Sequence, residues 1–181
     1  MPILETRTQL WPDEAACAAS AAALAAHAGL VTAFVELHGP LGAGKTTFVR
    51  HLLHAMGVEG RVKSPTYTVL EPYELMLHGA PLAVSHFDFY RFDDPQEWED
   101  AGFRDVFAAP GLKLAEWPEK AEGLLPLADL QIHLEPLAGT GDGAGENEQR
   151  RARFDARTPL GVALLPSAPL LPAPLAPAPF A

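Results

Sequence analysis

Apolar residues recur along this chain in short runs set apart by turn-forming residues, and the period of each run predicts its element. Ile3 to Leu10 alternates roughly, as a half-buried strand does. Pro12, Asp13 and Glu14 then supply helix-start chemistry for the alanine-rich stretch Ala15 to Ala28, which Gly29 ends. Val31 to Leu37 is a short apolar run of the kind that makes a buried strand, and Thr47 to Met56 is amphipathic at helical spacing, with Gly57 as its stop. From Tyr67 to Leu75 the pattern returns to that of a strand, His78 to Ala80 reads as a turn, and Leu82 to Phe89 completes a β-hairpin.

Pro95 opens a helix rich in acids, and Gly102 and a short segment to Phe107 follow it. Gly111 to Trp117 reads as a core strand ending on a carboxylate, with Pro118 as its terminator. Asp129 to Pro136 alternates strictly, and Arg151 to Arg157 is placed to pair with it as a second hairpin. The connection Gly139 to Gln149 buries almost nothing and is expected to be a mobile loop. Beyond Pro159 the chain is nearly all Pro, Ala and Leu. Seven prolines in the last 23 residues argue against any regular helix or central strand there.

Between the strand Val31 to Leu37 and the helix from Thr47 lies GPLGAGKT, Gly39 to Thr46, which fits G-x-x-x-x-G-K-[ST] at every fixed position. Strand, glycine-rich loop and helix in that order make a phosphate site. Glycines let the backbone turn its N–H groups around an anion, and the helix adds its unpaired N–H groups and positive dipole end. The loop residues Gly39, Leu41, Gly42, Ala43 and Gly44, with Lys45, Thr46 and Thr47, are therefore the candidate nucleotide contacts. Lys45 would reach the β- and γ-phosphates, and the Thr46 hydroxyl would help to coordinate Mg²⁺. The sequence reads as that of a nucleoside triphosphate binder.

Composition narrows the setting. A chain of 181 residues is one domain by length and has no room for a second catalytic one. A net charge of −10 argues against a free-standing nucleic-acid binder, so any nucleic acid served is expected to be held by a partner. The single cysteine, Cys17, reads as a packing residue. The acidic start does not look like a secretory signal, and no apolar run is long and clean enough to span a bilayer, which makes the cytoplasm the expected location. His51 and His54 share a helix face without further ligands at metal-binding spacing.

Hydrolysis needs a metal-holding carboxylate and a group to orient the attacking water, both from strand ends that converge on the loop. Asp88 in HFDFYR and Glu116 in AEWPE have that placement. The polar stretch Gly60 to Thr68, containing Lys63, Ser64, Pro65, Thr66 and Tyr67, follows the phosphate-loop helix, where nucleotide switches often keep a γ-phosphate sensor.

These motifs, GPLGAGKTT, VKSPTYTVLEPYEL, HFDFYR and AEWPE, in this order and with these gaps, resemble the TsaE family of bacterial P-loop ATPases required for N6-threonylcarbamoyladenosine in tRNA. The likeness runs from about Ile3 to Asp155. It implies an ATPase that uses ATP and Mg²⁺, binds the TsaD–TsaB heterodimer, meets tRNA only through that complex, and supports its repeated turnover. Carried over, Lys45 and Thr46 belong to the Walker A motif, Ser64 to Thr68 to a switch-like loop, Asp88 to the HxDxYR acid, and Glu116 with Trp117 to the EWP element. Lys45, Asp88 and Glu116 are thus the expected catalytic residues, Thr46 and Glu116 the metal ligands, and Ser64, Pro65, Thr66, Tyr67 and Trp117 the switch or partner-facing group. Pro40 departs from the Asp or Asn common in the family, at a position that donates no obligatory group.

The expected fold class is α/β: a single P-loop NTPase-like domain with a mixed sheet, flanking helices, and β-hairpins after the first P-loop helix and near the C-terminus. Residues 1–157 form the domain and 158–181 a disordered or loosely docked tail, in which a proline-rich ligand for an aromatic groove is an alternative. Two other functions compete with an ATPase. A small-metabolite kinase would need an acceptor pocket and an arginine-bearing lid, and only Arg91 lies between Arg61 and Arg104. A non-hydrolysing switch would change partner affinity on binding alone. Phosphate release without an acceptor separates these from the first reading.

Overall fold

The computed structural model describes residues 2–77, 79–137 and 149–167. The expected mobile connection lies outside the described residues except for Gln149, as does the tail beyond Ser167. Seven strands form one sheet: β1 (Glu5–Trp11), β2 (Phe34–His38), β3 (Leu70–Leu77), β4 (Ala80–Asp88), β5 (Leu112–Glu116), β6 (Leu130–Pro136) and β7 (Arg150–Ala156). Their order is β1-β7-β6-β2-β5-β4-β3. The centre is parallel, with β2 between β6 and β5 and β4 beyond β5. Both hairpins are antiparallel, and β1 closes one side against β7. The mixed α/β sheet and the two hairpins are as expected.

Two helices cover one face. α1 (Glu14–Ala25) starts at Asp13, whose carboxylate accepts the Ala16 N–H, and buries Cys17, Ala21 and Leu24 along one stripe. α2 (Lys45–Ala55) buries Phe48, Val49, Leu52 and Leu53. Trp11 of β1 stacks on Phe48 at 5.6 Å between ring centroids, so the first strand locks the phosphate-loop helix to the sheet. Burial pushes the Cys17 thiol up to about 12, as an unreactive packing residue requires. Phe34, Phe87, Phe89, Phe92, Trp98 and Phe103 build a second cluster on the opposite face under α3 (Pro95–Asp100) and α4 (Phe103–Ala108).

Three expectations change. The α1 helix stops at Ala25, and Ala28–Thr32 is a 3-10 turn, so Val31 lies before the strand, which begins at Phe34. Residues 66–68 form a turn and β3 begins only at Leu70, because Val69 adopts φ 63 and breaks the extended run. The tail boundary at 157 also moves. A fifth helix, α5 (Pro159–Ala163), follows Thr158, whose hydroxyl accepts the Gly161 N–H at 3.1 Å. Pro159 occupies its first turn, the one helical place where proline lacks nothing. Gly161 packs so closely that a Cβ there would lie 1.9 Å from the Asp129 carbonyl oxygen, and Leu164 and Leu165 are buried. The domain therefore extends at least through Leu165.

Candidate functional site

The parallel centre of the sheet brings three strand ends to one place. Leu37 of β2 is in register with Glu116 of β5, and Glu116 with Asp88 of β4, so β2 hands the chain to the phosphate loop beside both acids. This is the carboxyl edge where open α/β sheets bind ligands. A cavity of about 380 Å³ opens there, lined by Leu41 to Thr47, Ser64, Thr66, Asp88, Tyr90, Glu116, Trp117 and Arg150.

The loop is a shell of backbone. Gly39 has φ 140, and a Cβ on it would lie 2.4 Å from the Leu134 carbonyl oxygen, so only glycine fits between the loop and β6. Gly44, at φ 101, opens α2 with no side chain capping the first turn. Those N–H groups are left for an anion. Lys45 is 5% exposed and folds over the loop, its Nζ donating to the Gly39 carbonyl at 2.5 Å and to the Pro40 carbonyl at 3.0 Å. The ammonium also sits 3.6 Å from the centroid of the Trp117 ring. Burial pushes its pKa below the ordinary lysine value, and Glu116, Glu119 and Asp88 partly oppose that shift. Trp117, expected with the switch or partner-facing group, thus lines the cavity. It adopts φ 58, which turns the chain out of β5, and its ring packs on Tyr90.

The two acids are held differently. Glu116 is 2% exposed; its Oε2 accepts from the Thr46 hydroxyl at 2.8 Å and its Oε1 from His86 Nε2 at 2.9 Å. His86 is fully buried, and its Nδ1 has no partner among the described residues. Asp88 faces the polar loop Gly60 to Thr68. Its Oδ2 accepts from the Ser64 hydroxyl and from the Thr66 hydroxyl at 2.9 Å, and its Oδ1 from the Tyr90 N–H at 2.9 Å. Backbone bonds strengthen that link: the Val69 N–H donates to the Pro65 carbonyl at 2.7 Å and the Asp88 N–H to the Val69 carbonyl at 2.9 Å. A β-branched residue at φ 63 costs on the order of 1–3 kcal/mol, and here it sits at the joint between loop and sheet. Tyr67 points outward, 83% exposed, with the Arg91 guanidinium 4.5 Å from its ring centroid.

The donors around the cavity are oxygens: the Thr46 hydroxyl and the carboxylates of Glu116 and Asp88. They suit a hard cation such as Mg²⁺, which takes one or two carboxylates and completes its shell with phosphate oxygens and water. Among the described residues no group of three or more His, Cys, Asp or Glu is arranged to hold a metal by itself. His51 pairs with Glu14, and His54 with the Gly60 carbonyl.

Sequence reasoning missed two residues of the site. His86 was passed over because a buried partner for an acid has no signature of its own beside Asp88 in the same motif. Arg150 has no signature either, because its partner in the loop lies 107 positions earlier in the chain. Its Nε donates to the Ala43 carbonyl at 2.9 Å.

A strand, a glycine-rich anion loop and two acids at neighbouring strand ends define a phosphate-loop α/β protein. The family model described as threonylcarbamoyl adenosine biosynthesis protein TsaE matches residues 11–141, and the chain belongs to that family. It is 46% identical over 101 residues to the tRNA threonylcarbamoyladenosine biosynthesis protein TsaE of Haemophilus influenzae, covering 56% of this chain and 61% of that protein. To the protein of the same name from Bacillus subtilis it is 37% identical over 121 residues, 67% of this chain and 71% of the other. The fold is similar to a crystal structure of Bacillus subtilis YdiB, with a TM-score of 0.66 at 26% identity, covering 91% of this chain and 94% of that one. No helix among the described residues is long and apolar enough to cross a membrane.

Proposed function

We propose that this chain binds ATP with Mg²⁺ in the cavity at the carboxyl edge of the sheet, hydrolyses the γ-phosphate, and serves as the ATPase of a TsaD–TsaB assembly that makes threonylcarbamoyladenosine in tRNA. The observation that carries the reading is the hydrogen bond from Thr46 to Glu116, which joins the phosphate-loop hydroxyl to a buried acid on the neighbouring strand. A divalent ion held by these oxygens would supply neutralisation of the phosphate charge. Thr46 and Glu116 would hold it, and Asp88 would support the attacking water or the ion's shell. Lys45, leaving the Gly39 and Pro40 carbonyls, would take the β- and γ-phosphate oxygens.

Asp88 also gives hydrolysis a route outward. Its ties to Ser64 and Thr66 couple an acid beside the phosphates to a loop that carries the exposed Tyr67, so a change at the γ-phosphate would alter the surface offered to a partner. Two measurements test the reading. The protein alone should release phosphate from ATP in Mg²⁺ buffer with no acceptor added, and purified TsaD–TsaB should bind it in a nucleotide-dependent manner. Phosphate appearing only when a small-molecule acceptor is supplied would make it a kinase, and no release under any condition would make it a binding switch.

A further inference from the structure

We infer that Arg150 is a positioning residue for the phosphate loop, a role that rests on the nucleotide-binding reading above and extends the site beyond residues 11–141, where the family model matches. Arg150 opens β7, the strand next to the sheet edge, and is in register with Trp11 of β1 and Pro136 of β6. From there its side chain crosses to the loop. The Nε donates to the Ala43 carbonyl at 2.9 Å, and a terminal nitrogen lies 3.5 Å from the Gly42 carbonyl.

The chemistry of these bonds gives the role. A loop that binds an anion must aim its N–H groups at the ligand and keep its carbonyl dipoles away from it. A cation that engages the Gly42 and Ala43 carbonyls holds them turned from the phosphate position. Arg150 also lies over the last glycine of the loop, since a Cβ on Gly44 would lie 3.2 Å from its Nε and 3.5 Å from its Cδ. Trp11 contributes as well, because its stacking on Phe48 fixes β1 to α2, and β1 pairs with the strand that carries the arginine. The loop is thereby held from its outer side by a strand late in the chain.

The test compares Arg150→Met, which keeps a stem and removes the donors, with Arg150→Gln, whose amide nitrogen falls at the position of Nε. Calorimetry in Mg²⁺ buffer would use ADP and the non-hydrolysable analogue with an imido group between the β- and γ-phosphates. R150M should weaken both nucleotides by about tenfold. R150Q should stay within about threefold of the parent, because a neutral donor suffices to hold a carbonyl. Melting temperatures recorded in parallel should be close to the parental value, since Arg150 makes its backbone pairings whatever its side chain. Parental affinity in R150M would overturn the inference, and so would R150Q as weak as R150M, which would mean that the positive charge acts on phosphate directly. K45A measured alongside separates the two levels: if K45A loses binding and R150M does not, only the role of Arg150 falls, whereas full affinity in K45A overturns both.

Discussion

Replacing Glu116 by Gln isolates the charge of the buried acid from its shape. The side chain is 2% exposed and makes two bonds, one to Thr46 at 2.8 Å and one to His86 at 2.9 Å. In Glu116→Gln the amide oxygen can accept from His86, and the amide nitrogen can donate to the Thr46 oxygen, whose hydrogen rotates away. Both bonds survive, so stability should change by less than about 1 kcal/mol. Hydrolysis should fall about a hundredfold, about 2.7 kcal/mol of barrier, the size expected when one preorganised charge at a transition state is lost. The half-saturating Mg²⁺ concentration should rise about tenfold. Without Mg²⁺ the sign reverses. A carboxylate beside an anion site repels a bare triphosphate, so the variant should bind metal-free nucleotide at least about threefold more tightly than the parent. Phosphate release over a Mg²⁺ series and calorimetry with and without chelator provide the readouts. Asp88→Asn serves as the contrast, with a similar loss of rate and a smaller shift in Mg²⁺ dependence than Glu116→Gln, because Asp88 bonds to Ser64, Thr66 and the Tyr90 N–H rather than to Thr46. Parental rates in both variants at saturating Mg²⁺ would refute the assignment of either acid to the chemistry.

Thr66→Ala removes one of the two hydroxyls that tie the Ser64 to Thr68 loop to Asp88 and should reduce the proposed nucleotide-dependent binding to TsaD–TsaB more than it reduces nucleotide affinity; equal losses in the two assays would make the loop merely part of the pocket. Deleting everything from Pro159 should lower the melting temperature by roughly 6–12 °C, since it exposes the sites of two buried leucines worth at least about 3 kcal/mol together; an unchanged melting curve would contradict the packing of α5. Burial and the stacked His38 ring hold His133 down to about 4, so the unfolded chain takes up this proton first and stability should fall as pH drops from about 6.5 to 4. The ring is 31% exposed on its side chain, which leaves on the order of 1 kcal/mol of the full linkage; thermal melts of His133→Gln should show a smaller loss over that window than the parent.

The centre of the sheet and its phosphate loop were legible because β2 and β5 are short, largely apolar runs, β2 running into Gly39 and β5 ending on Glu116, while β1 and β6 alternate as half-buried strands do. The ends of β4 at Asp88 and of β5 at Glu116 agree with the reading of those residues as strand-end acids. Val69 hid the true start of β3: by composition it is a strand residue, and only the bonds to Pro65 and Asp88 reveal why it turns left-handed. The α5 helix was obscured by the prolines around it, although Thr158-Pro159 is a good local start signal that the overall composition outweighed. Contacts between distant segments left no pattern to read. Arg150 meets Ala43 across 107 positions of sequence, and the Trp117 ring meets the Lys45 ammonium at 3.6 Å from a different part of the chain.

The central claim is that the cavity beside Gly39 to Thr46 holds a nucleoside triphosphate, and Lys45 is its most direct probe. Lys45→Ala removes a nearly buried ammonium whose present partners, the Gly39 and Pro40 carbonyls, are weak substitutes for phosphate. A charge-assisted contact of this kind contributes roughly 1.5–3 kcal/mol, or about 10- to 150-fold in affinity. Calorimetric titration with the imido analogue of ATP and Mg²⁺ should give saturable one-to-one binding to the parent and a loss of at least about tenfold in the variant, with melting temperatures matched. Equal affinity in the two proteins would contradict the account.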